Sequence, residues 1–102
     1  MVSIIQDHLE SLIRVCKQHH VSRLDLFGSA AVGDFDPETS DLDFIVEFGH
    51  IPDDQRFDTF FSLKFALNDL FGRPVDLIEP GGLRNPYFIK RMNESRLSVY
   101  VA

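Results

Sequence analysis

The chain of 102 residues predicts an α/β (α+β) fold, a small mixed β-sheet with helices packed on it, forming one domain over 1–102. Three observations carry that expectation. Leu42, Phe44, Val46 and Phe48 alternate strictly with Asp41, Asp43, Ile45 and Glu47, the period-2 pattern of a half-buried strand. Two long segments repeat apolar residues at helical spacing. Two shorter segments, the alternating Val21 to Phe27 and the short Val75 to Glu79, end in the turn-forming groups Gly28-Ser29 and Pro80-Gly81-Gly82.

Taken in order, Ser3 and Gln6 form a capping box, and Ile5, Leu9, Leu12, Ile13 and Cys16 follow with helical periodicity, so one helix is expected from about Ile4 to His19. Val21 to Phe27 reads as a strand. The segment 28–40 mixes small, acidic and turn residues, including Gly33 and Pro37, and reads as a turn with room for one helical turn. After the Leu42–Phe48 strand, Pro52 to Phe71 reads as a second helix, with Asp53 and Asp54 in its first turn and Gly72 as its stop. Val75 to Glu79 is a short strand. Asn85-Pro86 supplies an N-cap and first position for a helix to about Asn93, and Leu97, Val99 and Val101 fit a last edge strand.

Composition narrows the function. With 44% hydrophobic and 25% charged residues and no repeat, the chain has the make-up of an ordinary globular domain. Met1 to Glu10 has no positive leading region, and no apolar run approaches the roughly 20 residues of a membrane span, so a cytoplasmic protein without membrane contact is expected. Cys16 is the sole cysteine and lies on the apolar face of its helix, which predicts a packed, reduced thiol. The net charge is −6, with 10 Lys and Arg against 16 Asp and Glu. Proteins that track a polynucleotide need a basic stripe to neutralise phosphates, so extended nucleic acid is disfavoured. A small phosphate compound that brings divalent cations remains compatible.

The chemistry concentrates at three acids and a turn. Side chains alternate along a strand, so Asp41 and Asp43 share a face, about 6.5 Å apart. Like charges so close repel unless a cation lies between them, and two divalent metals about 3.5–4 Å apart fit such a cluster and clamp the attacking and leaving oxygens of a phosphoryl transfer. Asp76 interrupts the apolar run Val75-Leu77-Ile78; buried without a partner it is costly, and a neighbouring strand position would bring it to the same cluster. Gly28 permits a sharp turn and close approach to a ligand, and free N–H groups with the Ser29 hydroxyl can donate to phosphate. Singly, each piece has a plainer reading: a simple β-turn, a solvated strand face, and an acid that caps or pairs with Arg73 or Arg84. A calcium loop begun by Asp34, Asp36 and Glu38 fails, because Thr39 and Ile45 stand where its glycine and bidentate Glu belong. Phe57, Phe60, Phe61, Phe65 and Phe71 exceed what one buried helix face needs; core packing accounts for most, and an oligomer or partner surface for the excess.

Leu24-Asp25-Leu26-Phe27-Gly28-Ser29 followed by Ser40-Asp41-Leu42-Asp43-Phe44-Ile45-Val46 closely resembles the minimal nucleotidyltransferase (MNT) family of the DNA polymerase β superfamily, whose signature is Gly-Ser, a spacer, then Asp-x-Asp. Arg73-Pro74-Val75-Asp76-Leu77 resembles that family's third-acid strand, and Leu83-Arg84-Asn85-Pro86-Tyr87 through Val99-Tyr100 its C-terminal ending. The resemblance implies a polymerase-β-type core and transfer of a nucleoside monophosphate, AMP from ATP, with two Mg²⁺ ions held by Asp41, Asp43 and Asp76. It implies catalytic roles for these acids, β/γ-phosphate binding by Gly28 and Ser29, and an acceptor hydroxyl, a tyrosine of a HEPN-type toxin that the MNT partner silences as its antitoxin. The family usually continues Gly-Ser-x-Ala-Arg-Gly, and here Val32 replaces the arginine. A second expectation therefore stands beside the enzyme, an acidic antitoxin that neutralises its partner by contact alone.

Overall fold

The computed structural model describes residues 3–28, 31, 41–82 and 84–102. Helices α1 (Ser3–Asp7) and α2 (Leu9–Gln18) lead into β1 (Val21–Phe27). Strand β2 (Leu42–Phe48) follows, then a 3₁₀ turn (Asp53–Gln55) running into α3 (Arg56–Phe71), β3 (Val75–Ile78), a second 3₁₀ turn (Pro80–Gly82), α4 (Pro86–Ser95) and β4 (Leu97–Val101). The expected mixed α/β sheet fold is the one observed.

The expected first helix is broken at His8. Its ring Nδ1 lies 2.8 Å from the Ile4 carbonyl, the acceptor that the His8 amide would otherwise take, and that amide instead bonds the Ile5 carbonyl at 3.2 Å. A side chain that occupies the i−4 carbonyl competes with the helical ladder, and the chain turns before α2 resumes. Ser3, expected as the cap, is itself the first helical residue of α1. The second helix also differs at its start, where the first turn is 3₁₀, a common form of helix end. It stops as expected at Gly72, which adopts φ +66°, the left-handed conformation that glycine takes without a Cβ penalty. The Asn85 cap is present, its side chain accepting from the Tyr87 and Phe88 amides at 3.0 and 3.3 Å.

The sheet order is β3-β2-β1-β4, with β2 and β3 parallel and the other pairs antiparallel. One face carries Leu24 and Leu26 of β1, Leu42, Phe44 and Val46 of β2, and Val75 and Leu77 of β3. These pack with Ile5, Leu12 and Cys16 from α1 and α2, and with Leu63, Leu67 and Phe71 from α3, into one buried core. Cys16 is fully buried in it, and burial pushes its thiol up to about 12, so the expectation of an inert, packed cysteine holds. The opposite face carries the polar residues of β1 and β2, and α4 lies against part of it. No helix of the described residues is long and apolar enough to cross a membrane.

Candidate functional site

The register of the sheet lays Phe27, Asp43 and Asp76 in one row across β1, β2 and β3. Directly opposite residues in a sheet point the same way, so the two acids share the face away from the core. What places Asp76 there is local: the Asn68 side chain on α3 accepts from the Val75 amide at 2.8 Å and fixes where β3 begins. Asp76 is exposed, so the burial that would have made it costly is not observed; the acid sits on the open face of an edge strand. Asp43 is half-buried between it and β1.

Asp43 is pushed up to about 6, first by burial, then by its hydrogen bond with Asp76 and by the negative charges of Asp76 and Asp41. Asp41, exposed, immediately precedes β2 rather than lying in it, and it reaches the pair through its charge. Among the described residues no three His, Cys, Asp or Glu side chains converge as a ready cation cage, and none of the ion pairs reaches Asp41, Asp43 or Asp76. The donor set is nonetheless that of a hard cation. Two carboxyl groups held together with no compensating base present oxygen atoms whose mutual repulsion a divalent ion relieves.

Gly28 closes the row from the β1 side. Its φ is +73°, and a Cβ placed on it would stand 2.5 Å from the Asp43 Oδ2 atom. The turn therefore runs its bare backbone against the acid, and the Ala31 amide closes it by donating to the Gly28 carbonyl at 3.1 Å. Ser29, the other expected phosphate contact, lies outside the described residues, as do Val32 and the acids of the 34–38 segment.

Three features were not read from the sequence. Asp25, in the middle of β1 on the same face, is fully buried. It accepts from Arg23 Nε at 2.9 and 3.1 Å and from Arg96 Nε, while Arg96 Nη2 reaches Glu47 at 3.2 Å. Arg96 follows α4, so this network fastens the end of that helix to the sheet. At the helix start Phe88 meets Phe27, ring centroids 6.3 Å apart at 86°. The third is an open groove of about 430 Å³ beside β3, lined by Phe57, Phe60, Phe61, Leu77 and Ile78 and by the paired Arg56 and Glu79. Phe57 and Phe65 stand 71% and 61% exposed in a tilted ring stack with Phe61, on a different helix face from the buried Leu63, Leu67 and Phe71.

Comparison with known proteins gives concordant matches. A family model described as a nucleotidyltransferase domain matches residues 9–99. A Methanocaldococcus jannaschii protein provisionally named a protein adenylyltransferase is 36% identical over 99 residues, 96% of this chain and 97% of its own length. A solved structure provisionally described as a minimal nucleotidyltransferase superposes with a TM-score of 0.72 at 28% identity, over 95% of this chain and 92% of that one. A chain of the complex between a tri-AMPylated Shewanella oneidensis HEPN toxin and its MNT antitoxin superposes with a TM-score of 0.64, over 95% of this chain and 72% of that one; at 15% identity this likeness speaks for the fold alone.

Proposed function

The chain belongs to the nucleotidyltransferase domain family, in its minimal branch, and is a nucleotidyltransferase; from that premise we propose that it transfers AMP from ATP to a tyrosine hydroxyl of a HEPN-type partner toxin. The observation that carries the reading is the Asp43–Asp76 pair, uncompensated among the described residues, directly beside the bare Gly28 turn. The Shewanella complex, whose toxin carries AMP, supports the choice of group and acceptor.

In this reading Asp41, Asp43 and Asp76 hold two Mg²⁺ ions. Ions held there would supply the positive charge that offsets the triphosphate and the charge developing as pyrophosphate departs. The Gly28 turn receives the β- and γ-phosphates on its backbone N–H groups, with the Ser29 hydroxyl as a further donor. Asp76, on the open edge strand, takes the proton of the acceptor hydroxyl. The acceptor oxygen then forms its bond to the α-phosphorus as the α,β-bridging bond breaks and pyrophosphate leaves with that electron pair. The domain acts as one unit, and the acceptor comes from outside it. Phe57 and Phe65 on α3, with the adjoining groove, give a surface for that partner or for a second copy of the chain, which light scattering with and without the partner distinguishes.

The test is transfer from α-labelled ATP, with Mg²⁺, to the purified toxin. The wild-type chain is expected to add AMP to a tyrosine, read by mass, and Asp41→Asn to abolish it. Label transfer unchanged in Asp41→Asn rejects the assignment. Val32, in place of the family arginine, favours a second role by contact. If Asp41→Asn/Asp43→Asn still neutralises the toxin, contact alone suffices for silencing; if neutralisation is lost while the complex still forms, transfer is required.

A further inference from the structure

We infer that Phe88 is the platform on which the nucleobase of the bound nucleotide stacks, an inference that rests on the nucleotidyl-transfer reading and assigns it a binding residue that the acids and the Gly28 turn do not supply. The row Phe27–Asp43–Asp76 fixes where the phosphates and their cations belong. A base is joined to its phosphates through one sugar, so it must come to rest close to that row, on the same face of the sheet. On that face, β3 is the sheet edge and α4 lies against β1, with Phe88 set against Phe27 at the β1 end of the row.

Two features suit Phe88 to this use. The first is an available surface. The residue is 43% exposed, and its edge-to-face ring contact with Phe27 at 86° leaves at least one face of the Phe88 ring uncovered by that neighbour, because a T-shaped pair covers one face of one ring only. The second is fixed placement. The Phe88 amide donates to the Asn85 cap, and the far end of α4 is tied down where Arg96 bonds the buried Asp25. A ring already held in position pays less conformational entropy on binding than a mobile one. The contrast with Tyr87 is useful: it is 81% exposed, and no ring contact holds it among the described residues.

Stacking of a base on an aromatic ring accepts any base, since each has a π-face. Phe88 therefore explains affinity for the nucleoside part and leaves discrimination between bases to other groups.

The chain has no tryptophan, so Phe88→Trp introduces a single tryptophan at the proposed platform, excited at wavelengths where the two tyrosines do not absorb. This variant is titrated with Mg-ATP and, separately, with Mg-tripolyphosphate, which has the phosphates and no base. Calorimetry follows the same ligands on wild type, Phe88→Ala and Phe88→Tyr. ATP is expected to quench the tryptophan while tripolyphosphate leaves it unchanged. Phe88→Ala is expected to weaken ATP about tenfold, spare tripolyphosphate, and recover in Phe88→Tyr. Unaltered ATP affinity in Phe88→Ala together with an unmoved tryptophan signal overturns the inference and leaves the transfer reading intact. Equal loss of both ligands in Phe88→Ala overturns it as well, by making Phe88 a support for the fold. Failure of wild type to bind either ligand overturns the transfer reading and the platform with it.

Discussion

Asp25 and Asp43 are diagonal neighbours on adjacent strands and the same sheet face, yet their surroundings are opposite. Asp25 is wholly buried, with Arg23 and Arg96 on its oxygens and Glu47 balancing the second arginine. Asp43 is partly open, and the charges that act on it are those of two more acids, Asp76 and Asp41. In the first cluster the positive and negative charges cancel within the protein. In the second they do not among the described residues, and protons at low pH or cations would supply the balance. A compensated acid under a helix ties that helix to the sheet; a pair of acids that no basic side chain meets among the described residues, beside the Gly28 backbone, is the place the proposed function assigns to a ligand.

The largest effect is expected from breaking the compensated cluster. Asp25→Ala leaves the largely buried Arg96 with only the more exposed Glu47 as a carboxylate partner and loosens the end of α4. Removing one partner of a buried pair costs roughly 3–5 kcal/mol, and the low end applies here because Arg23 can turn to water. Urea unfolding should show a loss of about 3 kcal/mol, a large share of the roughly 5–15 kcal/mol that domains possess. A loss below about 0.5 kcal/mol, the size of an exposed pair, would mean that the network contributes no more than a surface contact.

The same contrast explains what the sequence disclosed. Asp-x-Asp on a strictly alternating strand and an acid inside Val75-Leu77-Ile78 are local patterns, so Asp41, Asp43 and Asp76 could be read before any fold was known, and the parallel pairing of β2 with β3 then set two of them side by side. Asp25 carries no such mark. It occupies an ordinary polar position between Leu24 and Leu26, and Arg96, which explains its burial, lies 71 residues away in sequence. Phe88 was equally silent, since its meaning comes from Phe27 across the fold. The helix break at His8 was missed for a different reason: helical periodicity continues through it, and only the side chain's competition for the Ile4 carbonyl ends the ladder. Strand and helix positions were thus largely legible, while contacts between distant segments were not.

A smaller effect sharpens the comparison at the uncompensated site. Gly28→Ala must hold a left-handed backbone, at about 1–2 kcal/mol, and its Cβ would stand 2.5 Å from the Asp43 Oδ2, so the carboxylate has to move. The expected result is a modest loss of stability with a much larger loss of Mg-ATP affinity, measured by urea unfolding and calorimetry on the same sample. Unchanged ATP affinity would separate the Gly28 turn from the ligand site.

The smallest effect has the opposite sign to that at Asp25. With Mg²⁺ removed by a chelator, Asp43 in the folded chain holds its proton up to about pH 6, whereas an unfolded aspartate releases it near pH 4. Between those values the folded state binds more protons than the unfolded one, so stability falls as pH rises through the window. The cost of burying the Asp43 charge beside Asp76 and Asp41 is thus fully relieved below about pH 4 and fully present above about pH 6. Because Asp43 is partly open to solvent, screening reduces the effect to on the order of 1 kcal/mol. Other carboxylates titrate over the same range, so the informative quantity is the difference between wild type and Asp43→Asn in unfolding midpoint against pH. The variant should gain on wild type from pH 4 to 6 and keep that gain at pH 7. Mg²⁺ should then erase it by stabilising wild type alone. A difference that stays flat across the window would mean that neither burial nor the neighbouring acids penalise the Asp43 charge, and the uncompensated half of the comparison would fall.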